Sequence, residues 1–353
     1  MKSKYLFLAL FFVATLTVGC SNDDNEQKKE PAPEFSFNGA FVLNEGNFYS
    51  NIDGSLSLLD YTTGKMNNKL FSTINGKSLG ATPNDMVVSG DKAYISVTDD
   101  NIVWVLDKDL KALSMINITK PRKIVAVNDK IFISSYDGRV YAYDTKSAQL
   151  TKSDVIGSYL EDITYCNGFI YVCNSYNEDY TYNTNVVKLE TTLKKVSDIT
   201  VVCNPTKLET DGRDVYLLST GDYDSVGSML QRIDTNDKVE AMFPALYFTL
   251  YNNKIYYIDT TYDADWNSVT TYNVYDIAQS KSSIFIEGKD IEYPAGIAAD
   301  SSNGNIYLMV YHISEYGWGD YNNPGYIVRY DSNGNQIGKY DVGVCPTTMC
   351  FTE

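Results

Sequence analysis

The chain has 353 residues with 29 Lys and Arg against 45 Asp and Glu, a formal charge of −16. Such a field repels nucleic acid and anionic membrane surfaces, so nucleic-acid binding is excluded as a function. A single histidine rules out any multi-His metal centre, while 30 tyrosines are an excess that needs a cause.

Residues 1–19 read as an address. Lys2 and Lys4 precede an apolar run, Tyr5 to Leu16, too short to span a bilayer. Thr17-Val18-Gly19-Cys20 resembles the lipobox of bacterial lipoproteins, with Thr17 in place of the usual Leu. That resemblance implies lipidation of Cys20. The acidic run Ser21 to Glu26 resembles the surface-export signal of Bacteroidetes lipoproteins. Residues 20–37, polar and Pro-containing up to Pro33, are expected to be a tether without a core of its own.

From residue 38 a repeat takes over. Pro83 to Asp107 reads as three short strands: Asn84 to Ser89, Lys92 to Val97 and Ile102 to Leu106. Gly90-Asp91 and the Thr98–Asn101 stretch supply the turns, and β-branched and aromatic residues fill the strands. The pattern returns at Pro121, 38 residues after Pro83, a spacing typical of propeller blades.

Three rulers then count seven units. A carboxylate ends the third strand at Asp60, Asp107, Asp144, Glu190, Asp234, Asp276 and Asp331, where its expected task is to accept turn N–H groups. An aromatic sits in the second strand at Phe41, Tyr94, Phe132, Tyr171, Tyr216, Tyr256 and Tyr307, in phase with the repeat and so expected in the core. The units open near Pro83, Pro121, Leu160, Pro205, Ala245, Pro294 and Pro346. Unit one lacks an opening strand, and the chain ends on one with nothing after it. The reading is an all-β fold over residues 38–353: a seven-bladed β-propeller closed by a C-terminal inner strand.

The V-x-x-[LIY]-D repeat resembles the YncE-like and surface-layer-type seven-bladed propellers. Phe41-Val42-Leu43-Asn44-Glu45-Gly46-Asn47 and Pro346-Thr347-Thr348-Met349-Cys350-Phe351 resemble more narrowly the propeller lipoproteins of Bacteroidetes. That resemblance implies an outer-membrane lipoprotein facing the cell exterior. It also implies capture of a corrinoid of the cobalamin type and a TonB-dependent transporter as partner. The other reading is a glycan- or protein-binding surface module without enzymatic activity.

Loops that leave second strands and enter first strands share one face of a propeller. Several here are long and carry Tyr and Trp beside Asn and Asp, a composition suited to a large amphiphilic ligand. The candidates are Asn47, Phe48 and Tyr49 in unit one and Tyr176 and Tyr180 in unit four. Tyr223 follows in unit five, Tyr262 and Trp266 in unit six, and His312, Tyr316 and Trp318 in unit seven. At the channel mouth, Arg122 and Lys207 suit a phosphate or carboxylate, or pair with Glu161 or Asp85.

No nucleophile elbow is present, and no enzyme, metal or cofactor is expected. The stretch from Asp263 to Asn267 begins like a calcium loop but lacks the Gly at its sixth position and the Glu at its twelfth. Besides Cys20 there are five cysteines, an odd number. Cys345 and Cys350 are roughly 17 Å apart on an extended strand, too far to bridge, which leaves Cys173 with Cys203 as the conceivable pair.

Overall fold

The protein is described by a computed structural model covering residues 35–262 and 268–352. Seven four-stranded antiparallel sheets make a seven-bladed β-propeller. Six blades are continuous in sequence. Blade one is not: its inner strand, Pro346–Thr352, pairs with Gly39–Asn44, followed outward by Ser55–Asp60 and Lys65–Asn67. Phe41 faces Cys350 and Val42 faces Met349 in that register. The ring closes as the sequence predicts, with the first and last described strands in one sheet.

Each ruler has its physical counterpart. The seven second-strand aromatics are all at most 3 % exposed, so each blade packs one large ring against its neighbours. The third-strand carboxylates cap their turns. Asp234 accepts N–H bonds from Asn236 at 2.8 Å and Lys238 at 2.9 Å, and Asp331 accepts from Asn333 and Asn335, both at 2.9 Å. Glu190 departs from the rule and holds the hydroxyl of Thr192 instead.

Tyr94 is fully buried, yet its hydroxyl has no hydrogen-bond partner. Removing the hydroxyl therefore removes an unmet desolvation cost, whereas removing the ring leaves a cavity. Tyr94→Phe is expected to match or exceed the wild type in urea midpoint. Tyr94→Ala is expected to lose ~3–5 kcal/mol.

Side chains on the inner strands staple successive blades. Asp85 Oδ2 accepts from Ile124 N–H at 2.8 Å, Asp162 Oδ2 from Leu208 N–H at 3.0 Å, and Glu209 Oε2 from Leu250 N–H at 2.7 Å. Burial pushes the Asp162 carboxyl up to about 6, against the pull of Lys123 and the Leu208 N–H. A folded-state value above the unfolded one means that stability is fully present below the unfolded value. It is lost as pH rises through about 6. The urea stability gap between wild type and Asp162→Ala is therefore expected to be widest near pH ~4 and to narrow by pH ~7. A gap that is flat in pH contradicts this.

One element lies outside the repeat. Between blades one and two, a short helix, Leu70–Asn75, inserts Phe71 beside Trp104, with ring centroids 5.4 Å apart. Trp104 Nε1–H donates to Leu79 O at 2.9 Å. Phe35 and Phe37, within the stretch read as tether, pack on Phe41 at 6.2 and 6.0 Å.

Candidate functional site

The upper face carries the loops between second and third strands, and the central channel opens there. Its rim is built from strand ends. Tyr159 starts the inner strand of blade four and pairs across to Tyr176, which ends the next strand. The two rings stack at 4.3 Å with planes 11° apart. Blade seven repeats the device: Tyr293 pairs with Tyr311, stacked at 6.3 Å. Tyr247 opens blade six in the same position.

With other tyrosine contacts these pairs make up a collar of separate clusters. Tyr136 meets Tyr159 at 4.9 Å, Tyr176 stacks on Tyr180 at 6.4 Å, and Tyr182 meets Tyr223 at 5.9 Å. Tyr247 lies within electrostatic range of Tyr293, Tyr321 and Tyr223, and its hydroxyl is pushed up to about 12, chiefly by burial. Tyr311 touches Tyr321 at 5.3 Å and senses the Glu45 carboxylate. Burial foremost holds the Tyr311 hydroxyl far above its usual range. The Tyr247 and Tyr311 phenols are therefore neutral hydrogen-bonding groups set in an aromatic wall.

The charged floor of the collar sits on blades one to four. Arg122 donates from Nε and Nη2 to Glu161 Oε2 at 3.1 and 2.9 Å. The Tyr136 hydroxyl donates to Glu161 Oε1, and the guanidinium lies 4.6 Å from the Tyr136 ring centroid. Glu45 accepts from Asn84 Nδ2 at 3.0 Å, while Asn84 Oδ1 is buried without a partner. Below the rim, a cavity of about 530 Å³ continues down the channel, lined by inner-strand residues of all seven blades, Asp85, Lys123 and Asp162 included. Tyr247, Lys207, Thr347 and Phe351 are among its walls.

The expected site residues divide. Tyr176, Tyr180 and Tyr223 belong to the collar. Arg122 is there too, but as the partner of Glu161 and not as a free cation for an anion. Lys207 is likewise engaged, by Glu209 Oε1 at 2.8 Å and Phe248 O at 2.8 Å. His312 is drawn aside: its Nδ1 lies 2.9 Å from Glu292 Oε1, and its ring packs on Tyr326. Asn47 ties the blade-one loop to blade seven, donating to Asn322 Oδ1 at 2.9 Å. Phe48 and Tyr49 pack edge to face at 5.8 Å on a short helical turn and are exposed. Tyr316 and Trp318 stack on each other at 5.5 Å in the blade-seven insertion. Trp266, the side chain of Tyr262 and the calcium-like stretch 263–267 lie outside the described residues, as does Cys20.

Cys173 and Cys203 are both free thiols, so the conceivable bridge between them is absent. Cys173 is instead packed in an apolar cluster with Val186 and Leu217. Among the described residues no cluster of potential metal ligands occurs, and no helix is long and apolar enough to cross a membrane.

Sequence reasoning missed Tyr136, Tyr159, Tyr247 and Tyr293, and gave Glu45 no role of its own. A signal was present: inner strands open on Pro83, Pro121, Pro205 and Pro346 in four blades, and on Tyr159, Tyr247 and Tyr293 in the other three.

No curated protein matches the sequence. Solved structures resemble it in fold. A hydrazine synthase from Kuenenia stuttgartiensis aligns with a TM-score of 0.60 at 14 % identity, over 75 % of this chain and 88 % of its own. A putative 6-phosphogluconolactonase from Bacteroides fragilis aligns at 0.61 and 12 % identity, over 90 % and 99 %. Apo AztD from Citrobacter koseri aligns at 0.54 and 13 % identity, over 88 % and 96 %. Identities this low carry the fold alone. The family described as a domain of unknown function, DUF5074, matches residues 38–352, and the chain belongs to that family.

Proposed function

We propose that the protein captures a large, flat, amphiphilic ligand in the tyrosine collar, and that this ligand is a corrinoid of the cobalamin type. The collar is the observation that carries this reading. Stacked pairs of phenols around a channel mouth offer apolar area with hydrogen-bonding rims, and the charged groups on its floor are already paired. A macrocycle with amide arms matches that surface: its edge lies on the rings, and its amides meet the phenols and Glu45. A small anion does not match it, because Arg122 and Lys207 are both neutralised.

The setting proposed for this capture is the cell surface, with Cys20 lipidated and a TonB-dependent transporter receiving the ligand. Acyl chains would then be the hydrophobic anchor of a strongly acidic body. Cys20→Ala is expected to move the protein from the membrane fraction to the soluble one. Retention in the membrane after a carbonate wash would refute the anchor.

The capture itself is tested by absorbance titration with cyanocobalamin. The expected result is saturation near one ligand per chain. Truncating a central aromatic typically loses ~2 kcal/mol, about thirtyfold in affinity. Tyr176→Ala and Tyr223→Ala are each expected to weaken binding at least about tenfold. A flat titration, or full affinity in both variants, defeats the reading.

A further inference from the structure

Blade seven carries a second feature, whose base borders the collar at Tyr321. Its insertion from His312 to Asn323 is a built hairpin. Ile313 and Gly319 form a β-bridge. Ser314 N–H donates to Trp318 O at 2.7 Å, Gly317 N–H to Ser314 O at 3.0 Å, and Asp320 N–H to His312 O at 2.7 Å. Gly319 must be glycine, since a β-carbon there would come within 2.9 Å of both Tyr293 and Tyr311.

This frame holds two rings at its tip. Tyr316 and Trp318 lie 5.5 Å apart with planes 22° from parallel, and they are 67 % and 56 % exposed. Beside them is a cleft of about 600 Å³ lined by Asn47, Glu315, Asp320, Asn322 and Asn323. The Asn47–Asn322 bond fixes the far wall. Ser314, also in the lining, has a buried hydroxyl oxygen without a partner.

Large rings kept at a solvent-facing tip cost solubility unless something covers them. Here the ordering cost is already met by the hairpin, so a ligand loses little freedom of the protein on binding. The cleft is not apolar enough for a buried peptide anchor. Its carboxylates, in a chain of net charge −16, repel polyanions. What remains is a molecule with an apolar C–H face and a rim of uncharged hydroxyls. We propose that this cleft binds a neutral polysaccharide. Successive pyranose units stack on Tyr316 and Trp318, and their hydroxyls are bonded by the amides and carboxylates alongside. The two stacked rings are not among the collar contacts, although the cleft borders the collar through Tyr321.

The test is native affinity electrophoresis of the full-length protein through gels containing dextran, laminarin, galactomannan or xylan. Retardation in at least one gel is expected. Trp318→Ala and Tyr316→Ala are each expected to cut the apparent affinity at least about tenfold while melting as the wild type does. The same two variants are expected to titrate cyanocobalamin normally, so that failure here is distinguishable from failure of the collar reading. Free migration in all four gels overturns the proposal. So does retardation that survives both substitutions, or retardation by alginate, a polyanion, in place of the neutral polymers.

Discussion

Deleting residues 346–353 is expected to lower the melting temperature by about 10 °C or more, the response to a loss of roughly 5 kcal/mol in a chain of this size. The deleted strand is the innermost of blade one. It pairs with Gly39–Asn44 through six residue positions. It packs Met349 and Phe351 into the cluster that holds Tyr307 and Ile327 of blade seven. Thr348 Oγ1 also donates to Asn84 O at 3.1 Å in blade two. Its removal therefore opens a pairing edge and strips one side from two neighbouring blades. Deleting eight tether residues before Pro33 removes none of these contacts, and its expected effect is within about 2 °C. Equal melting of the two truncated proteins would mean that closure by this strand does not stabilise the ring.

That closure was legible because it follows from complementarity: a unit without a first strand and a last strand without a unit. The blade count was legible because a capped turn and a buried ring are local demands that every blade repeats. Asp234 and Tyr216 are placed by their own strands, with no information from the rest of the chain. The collar obeys no such local rule. Tyr159 and Tyr293 are 134 positions apart, and only ring closure brings both to one mouth. A search for aromatics in insertions finds Tyr316 and Trp318, which leave the repeat, and passes over Tyr247, which stays inside it. The buried ion pair of Arg122 with Glu161 was open in the sequence as one of two options. Burial decided it, because a cation enclosed at that position is stable only with a carboxylate beside it. The helix Leu70–Asn75 carried no signal in the repeat and belongs to the connection between two blades.

Arg122→Ala is expected to be the most damaging single substitution at the site. Arg122 and Glu161 side chains are only 16 % and 13 % exposed. Burial disfavours the guanidinium charge, but Glu161, Tyr136 and Glu45 together more than offset it and hold the arginine above its ordinary range. Burial, then the same carboxylate, keeps the Tyr136 phenol protonated, so it remains a donor. Truncating Arg122 leaves Glu161 enclosed with Tyr136 as its remaining side-chain partner. Breaking a buried pair from one side costs ~3–5 kcal/mol, which corresponds to a fall of about 10 °C. The double variant Arg122→Met, Glu161→Leu removes the stranded charge as well and is expected to regain most of that loss. Binding should separate from stability in these proteins. Tyr136 loses both the cation over its ring and the acceptor for its hydroxyl in the double variant, so the collar wall at blade three is no longer held. Cyanocobalamin affinity is therefore expected to stay at least about tenfold below wild type while the melting temperature returns. If Arg122→Ala costs under about 1 kcal/mol, the pair behaves as a solvated surface contact, and the floor of the collar is open to water.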